Sequence, residues 1–175
     1  SNPAVVPQFA DASALLAQLP RKPGVFYKAT CANVRAVERA LADVAAGHGA
    51  NEISLLVSAS EAHSQKNLKR SRAEQWANVR AMAAAAQGQF RLIGSLSVAF
   101  GCPLEGMVDD SVVLEDAARF AELGCSHVAV ADTTGMATPR SIRRLFGRLL
   151  RELPNLQWVA HLHDTRGTGL VSALA

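Results

Sequence analysis

The sequence predicts an α/β protein of the (β/α)8 TIM barrel class, of which about five parallel βα units are present. Short β-like runs alternate with longer amphipathic helical segments along the chain, which is typical of repeated βα units around a parallel sheet. The polar motifs all directly follow apolar runs, as expected where loops leave the carboxyl ends of barrel strands. The alternation alone leaves open a five-stranded, doubly wound sheet as the rival architecture.

Composition favours one compact core. The chain has 175 residues, of which 49% are hydrophobic and 19% are charged, so we predict a single domain over residues 1–175, the central portion of a barrel. The formal net charge is only +3 and is spread over several segments, which favours a small anionic ligand over nucleic acid. No apolar run reaches the roughly 18 residues of a membrane span, so no membrane partner is expected.

The cysteines indicate a reducing compartment. Cys31, Cys102 and Cys125 are odd in number and far apart, and they form no C-x-x-C pair, so neither a disulfide framework nor a structural zinc site is indicated. No basic segment leading into an apolar run opens the chain. We therefore expect a cytoplasmic protein.

The elements follow in order after an opening helix at Pro7–Leu19. The predicted strands are Gly24–Lys28, Glu52–Val57, Arg91–Val98, His127–Ala131 and Gln157–His161. The predicted helices are Asn33–Gly47, Arg72–Gln87, Asp109–Leu123, Thr138–Glu152 and one that begins at Thr168.

Three local signals support these helices. Thr138 can cap free amides while Pro139 takes the first helical position, where its missing N–H costs nothing. Asp109 and Asp110 favour a helix start through capping and the helix dipole. The run Ala81–Ala86 has high helix propensity and allows close packing on a sheet.

The strongest motif is H-L-H-D-T-R-G, at 161–167. Alternate residues of a strand share a face, so His161 and His163 should project together while Leu162 packs. Two imidazoles at the carboxyl end of a buried strand would form half of an open metal site, which Asp164 or Thr165 could orient. A chance H-x-H on a solvated strand end is the alternative.

A second motif, A-D-T-T-G at 131–135, follows the preceding strand. Asp132 and Thr133 could bind a metal-bound water, a histidine ligand or a substrate carboxylate. The alternative is a turn in which Asp132 and Gly135 satisfy backbone groups before a helix.

Two more polar segments follow strands. In G-C-P-L-E-G, at 101–106, Glu105 could serve as an acid, a base or a ligand holder, while Cys102 is interpreted as a packed cysteine. In the segment 58–70, Lys66, Lys69 and Arg70 should lie at the start of the next helix, where amides favour phosphate groups. A charged, solvated helix start is the alternative.

Together these motifs resemble the lyase branch of the metal-dependent barrels that cleave or form carbon–carbon bonds beside acyl-CoA. The resemblance extends from V-P-Q-F-A-D at 6–11 through A-N-V-R at 32–35 to the four motifs above. H-x-H-D-T-x-G is shared with related synthases. Its combination with G-C-P-x-E-G and S-x-S-E indicates the 3-hydroxy-3-methylglutaryl-CoA lyase family.

The resemblance implies a retro-aldol cleavage that gives acetyl-CoA and acetoacetate, as in leucine degradation, with Mg²⁺ or Mn²⁺ as cofactor and CoA as part of the substrate. It implies His161 and His163 as metal ligands and Asp132 and Thr133 as catalytic residues. The substrate-binding residues that it implies are Lys66, Asn67, Ser97 and Glu105.

Other features implied for the family have no counterpart in these 175 residues: an Arg-Asp pair, an acidic residue of the second strand, a cysteine loop and an asparagine ligand. We therefore expect the chain alone to be inactive. Ser95, His63 and Ala131 also depart from the family pattern, in which the first two positions are aromatic and the third is glycine, so a different 3-hydroxyacyl-CoA could be the substrate.

Two further alternatives stay open: a condensing synthase of the same superfamily and an inactive barrel with a binding role. Because strand edges are exposed in such a fragment, we also expect pairing into a homodimer.

Overall fold

The computed structural model describes residues 6–86 and 88–175, in which one parallel sheet runs in the order β1-β2-β3-β4-β5. Its strands are β1 (Lys28–Cys31), β2 (Glu52–Ser58), β3 (Arg91–Ser97), β4 (His127–Asp132) and β5 (Gln157–Leu162). The helices are α1 (Ala12–Gln18), α2 (Val34–Ala45), α3 (Glu61–Leu68), α4 (Arg72–Ala85), α5 (Asp110–Glu122), α6 (Pro139–Glu152) and α7 (Gly169–Ala173). In this part of the chain no helix has both the length and the apolar character needed to cross a membrane.

Two parts of the sequence predictions lie outside the described residues. These are Gln87, the predicted end of a helix, and residues 1–5 of the predicted domain.

The strand order decides between the two architectures. A doubly wound sheet reverses its order at a switch point and carries helices on both faces. Here each strand pairs with the next one along the chain, and successive right-handed crossovers put the helices on one face. The sheet is therefore part of an α/β barrel, as predicted.

The apolar core lies between the sheet and its helices. Ile53, Leu55 and Val57 of β2 are fully buried at alternate positions, as are Val128 and Val130 of β4. The buried apolar residues that pack against them from the helices are Val37, Val79, Met82, Val113, Phe120, Leu145 and Leu149. This period of two assigns the other strand positions to the opposite face.

We call that opposite face the open face. At the carboxyl end of the strands, Ser58 pairs with Ser97, and Ala131 pairs with His161. Leu96 is paired with Val130 in the parallel strands β3 and β4, so the residues that follow them, Ser97 and Ala131, are also neighbours. Ser58, Ser97, Ala131 and His161 thus form a single row across four strands, here called the rim row.

The predicted helix starts at α5 and α6 are confirmed. The Thr138 hydroxyl accepts the amide of Ser141 at 3.2 Å, and Pro139 takes the first helical position. The Asp109 carboxylate accepts the Ser111 amide at 2.8 Å, and hydrogen bonds from Ser111 lower the pKa of Asp109. Capping depends on residues within one turn, which makes it readable from sequence.

The first strand was placed wrongly. It runs over Lys28–Cys31, and the predicted Gly24–Lys28 is mostly loop. The Tyr27 amide donates to Asn51 Oδ1 at 2.7 Å, and the Tyr27 hydroxyl donates to the Pro20 carbonyl at 2.8 Å. Tyr27 therefore attaches this loop to Asn51 and Pro20, and Cys31, at the end of β1, is buried.

Two helical predictions also differ from the structure. The opening segment is a 3₁₀ turn at Pro7–Phe9 followed by α1, neither of which buries a residue, so no apolar face supports one continuous helix. The segment after β2 contains α3, which was not predicted. Ser60 caps α3 by accepting the His63 amide at 3.0 Å, and Lys69 ends it in the left-handed conformation.

Gly94 of β3 lies directly under the ring of Phe120 from α5. A Cβ atom at Gly94 would come 2.5 Å from Phe120 Cγ, and the Phe120 ring is itself held 4.8 Å from that of Trp76, centroid to centroid. We expect Gly94→Ala to destabilise the protein by about 1–3 kcal/mol through overpacking, measured by urea unfolding.

Gly147→Ala in α6 is the matched control. Its Cβ would meet only the Arg151 side-chain end at 3.4 Å, so a gain of about 0.5–1 kcal/mol is expected from the lower flexibility of alanine. Equal effects of the two substitutions would contradict the packing argument.

Candidate active site

His161 and His163 lie at the carboxyl end of β5 and project together. Their ring centroids are 5.1 Å apart with an interplanar angle of 19°, and both side chains are exposed. Leu162 between them packs against the apolar core. The expectation that the two imidazoles share a face is confirmed.

The expectation that a buried strand carries this pair is wrong. β5 is mostly exposed, and Val159 on its open face is 42% exposed. The reason is topological: among the described residues β5 pairs only with β4 and forms one edge of the sheet.

The histidine pair fits part of a cation site. Imidazole ligands are typical of Zn²⁺, Cu²⁺, Fe²⁺ and Ni²⁺, whereas Mg²⁺ and Mn²⁺ are usually held by oxygen ligands. Within residues 6–86 and 88–175, no three His, Cys, Asp or Glu side chains come together in a way that could hold a metal ion. The pair can thus supply two nitrogen ligands, and oxygen ligands would have to come from elsewhere.

The loops after β4 and β5 are packed against each other. Arg166 donates through Nε to the Gly135 carbonyl at 2.7 Å and through Nη2 to the Ala137 carbonyl at 2.9 Å. Gly135 adopts a positive φ of 70°, and a Cβ there would lie 2.7 Å from Cβ of Thr165. Both contacts fix the position of the loop that follows the histidines.

Asp164 and Thr165 do not orient the histidines in the way expected. Asp164 Oδ1 accepts the amide of Gly169 at 2.6 Å, and Thr165 packs against Gly135. Among the hydrogen bonds of the described residues, neither side chain bonds to an imidazole. Their role is to hold the loop and the start of α7.

Asp132 is buried and stabilises a turn. Its Oδ1 accepts the Met136 amide at 2.8 Å, and Asp132 pairs with Leu162 across the sheet. Because Leu162 faces the core, strand alternation directs Asp132 away from the open face. These contacts support the turn alternative, and a direct catalytic role of Asp132 stays a prediction.

Thr133 supports a strained residue at the end of β3. Its Oγ1 accepts the Val98 amide at 2.8 Å, and Val98 has a φ of 53°, which is unfavourable for a β-branched residue. The hydroxyl thus helps to hold the turn after Ser97. A catalytic role of Thr133 also stays a prediction.

Ser97, which the sequence predicts to bind substrate, lies at the carboxyl end of β3, and its role stays a prediction. It is half-buried and lies in the rim row between Ser58 and Ala131. Directly below it on the open face, Ser95 and Ala129 are paired. Small side chains therefore leave room on the sheet between β3 and β4, next to the histidine strand.

Glu105 binds the start of α3. Its Oε1 accepts the Ala62 amide at 2.8 Å, and hydrogen bonds led by the Ser60 side chain lower the pKa of Glu105. A carboxyl with a lowered pKa is a poor proton donor near neutral pH, so the interpretation as an acid is disfavoured. Cys102 is buried and accepts the Ser60 hydroxyl at 3.0 Å, which confirms it as a packed cysteine.

Lys66 does not lie at a helix start as predicted. It and Asn67 are exposed in the last turn of α3, whereas Lys69 and Arg70 lie in the turn that leads into α4. The Ser71 and Arg72 amides at the start of α4 already donate to Glu74 and Glu61, at 2.7 and 2.9 Å. The amides of Ser71 and Arg72 are therefore not free to bind a phosphate group.

Sequence reasoning missed two groups that shape this end of the sheet. One is Arg166, which braces the loop after β4. The other is the contact between Ser58 Oγ and His63 Nδ1, at 2.9 Å. The Ser58–His63 contact had one signal in the sequence. Ser60 has the residue type and position of a helix cap, which makes His63 the third helical residue.

The fold and this cluster of strand-end loops define an α/β-barrel protein with its candidate site at the carboxyl ends of the strands. The family model described as HMGL-like matches residues 12–175. The chain belongs to the HMGL-like family.

A relative from Pseudomonas aeruginosa is described as a 3-hydroxy-3-isohexenylglutaryl-CoA/hydroxy-methylglutaryl-CoA lyase. It is 34% identical over an alignment 175 positions long, which covers 99% of this chain and 57% of the relative. The crystal structure of a hydroxymethylglutaryl-CoA lyase from P. aeruginosa superposes with a TM-score of 0.91 at 32% identity and covers 99% of this chain and 57% of that one. An HMG-CoA lyase from Acinetobacter baumannii, solved with coenzyme A and 3-methylmalate, gives a TM-score of 0.90 at 29% identity, with 99% and 55% covered.

The chain spans about half the length of the curated relatives that it matches. Relatives described as cytoplasmic and relatives described as mitochondrial both occur, so the family leaves both compartments open.

Proposed function

We propose that the native protein is a divalent-metal-dependent lyase that cleaves a 3-hydroxyacyl-CoA, with 3-hydroxy-3-methylglutaryl-CoA as the reference substrate and acetyl-CoA and acetoacetate as products. The observation that carries the proposal is the stacked pair His161 and His163 at the carboxyl end of β5. Family membership supports the reaction class.

In this proposal His161 and His163 hold the cation. A bound Mg²⁺ or Mn²⁺ would orient the substrate and lower the pKa of its hydroxyl group. Ser97 and the small residues around it would receive the acyl group, because the rim row leads from Ser97 to His161. Asp132 and Thr133 would keep the loops at the correct distance from the substrate through their backbone contacts.

The CoA end would bind near α3. Lys66 and Asn67 are exposed and polar, and an ammonium group can pair with phosphate oxygens. Glu105 would act here by fixing the amino end of α3 through the Ala62 amide. Pairing into a homodimer and a cytoplasmic location also stay proposals.

The test is a cleavage assay of the native protein with 3-hydroxy-3-methylglutaryl-CoA. We expect acetyl-CoA and acetoacetate to form, EDTA to abolish their formation, and added Mg²⁺ or Mn²⁺ to restore it. Activity that survives EDTA would contradict the metal-dependent mechanism. A new product from acetyl-CoA and a 2-oxo acid would instead favour the condensing synthase.

A further inference from the structure

His63 joins α3 to the rim row. It is the third residue of α3, and its Nδ1 lies 2.9 Å from Oγ of Ser58. Ser58 begins the rim row that continues through Ser97 to His161. The imidazole of His63 is therefore held against the carboxyl end of the sheet, on the side of the candidate site.

The hydrogen bonds around Ser58 favour one tautomer of His63. The Ser60 amide donates to Ser58 Oγ at 3.2 Å, so Ser58 Oγ already accepts one bond, and its own proton needs an acceptor. His63 Nδ1 is the acceptor within reach. Burial and the neighbouring Lys66 lower the pKa of His63, which favours the neutral ring. A neutral ring that accepts at Nδ1 carries its proton on Nε2.

The spacing on α3 puts three polar side chains together. Residues three and four apart in a helix are neighbours on one face, so Lys66 and Asn67 share the face of His63. The ring is half-buried, whereas Lys66 and Asn67 are exposed. Among the described residues no hydrogen bond is assigned to His63 Nε2, which leaves its proton available.

The distances indicate which part of a ligand His63 would meet. Three strand spacings of about 4.8 Å separate Ser58 from His161, or about 14 Å in total. A thioester carbonyl lies within a few bonds of the reacting carbon and would stay near the histidine pair. The amide carbonyls of pantetheine lie further along, between the thioester and the phosphates.

We propose that His63 is a positioning residue that donates its Nε2 proton to an amide carbonyl of the pantetheine arm of CoA, between the phosphates near Lys66 and the acyl group near His161. This inference rests on the proposed function, since it takes an acyl-CoA as the ligand. Ser58 fixes the ring and is not a nucleophile, because it is only 1% exposed.

Calorimetric titration of the native protein with two probes tests the proposal. The probes are CoA and 3′-phospho-ADP, which is the nucleotide end of CoA without pantetheine. We expect His63→Phe to weaken CoA binding by about 3- to 10-fold, as for the loss of one hydrogen bond, and to leave 3′-phospho-ADP unchanged. His63→Gln keeps an N–H donor and should restore CoA binding to within about 2-fold.

Lys66→Ala is the comparison variant and should weaken both probes. A His63→Phe protein that binds CoA as the wild type does, or that loses both probes equally, would overturn the role of His63 while CoA binding itself stands. If the wild-type protein binds neither probe, the result contradicts the proposed function itself. Nitrogen shifts of the His63 ring that reveal a proton on Nδ1 would also overturn the inference.

Discussion

Replacing His161 by alanine should lower the proposed lyase activity of the native protein by about 10³-fold. In the proposed site His161 supplies one of two imidazole ligands, and a metal that polarises the substrate contributes several kcal/mol to the transition state. A loss of about 4 kcal/mol corresponds to about three orders of magnitude in rate. The measurements are steady-state cleavage of 3-hydroxy-3-methylglutaryl-CoA and direct titration of bound Mn²⁺ by electron paramagnetic resonance.

His127→Ala is the matched control. His127 lies on the same open face, in register with Gln157 of β5, but four residues, or about 13 Å, from the rim row along the strands. We expect this variant to keep both Mn²⁺ binding and activity. If His161→Ala binds Mn²⁺ as the wild type does, the histidine pair is not the metal site.

Replacing Arg72 by methionine should lower the free energy of unfolding by about 3–5 kcal/mol at neutral pH. Asp116 is fully buried in α5, and Arg72 Nη2 contacts both of its carboxylate oxygens, at 2.8 and 2.9 Å. The Trp76 indole N–H also donates to Asp116, at 3.1 Å. Removal of Arg72 leaves a buried carboxylate without its main counter-charge, which is far costlier than the loss of an exposed pair.

The effect should depend on pH in a defined direction. Burial already raises the pKa of Asp116 above its ordinary value, and loss of Arg72 should raise it further. A group whose pKa is raised by folding contributes stability at low pH and loses it as the pH rises through the folded-state pKa. The cost of Arg72→Met should therefore be larger at pH 8 than at pH 5, measured by urea unfolding followed by circular dichroism.

Arg119→Met controls for charge alone. Arg119 Nη1 lies 3.9 Å from Asp116 Oδ1, but its side chain is 42% exposed, so a cost of at most about 1 kcal/mol is expected. Equal costs for the two substitutions, or a cost for Arg72→Met that is independent of pH, would contradict the buried-pair argument.

The candidate site was only partly predictable. The common direction of His161 and His163 follows from the period of two in any strand, and it appears in the structure. The contacts of Glu105 with Ala62 and of Thr133 with Val98 join residues 43 and 35 positions apart. No local pattern encodes such pairings, so the sequence suggested chemical roles where the structure reveals backbone contacts.

By itself, the sequence determined the order of the βα units, the capped starts of α5 and α6 and the position of polar motifs at strand ends. These features depend on neighbours within one or two turns, where periodicity and capping operate. Only the tertiary structure decided that the strands pair sequentially, that β1 begins at Lys28, that Asp132 faces a turn and that Ser58 connects His63 to the row of His161. The physical reason is that strand register and loop packing depend on contacts between residues far apart in the sequence. Local patterns within a short segment do not encode such contacts.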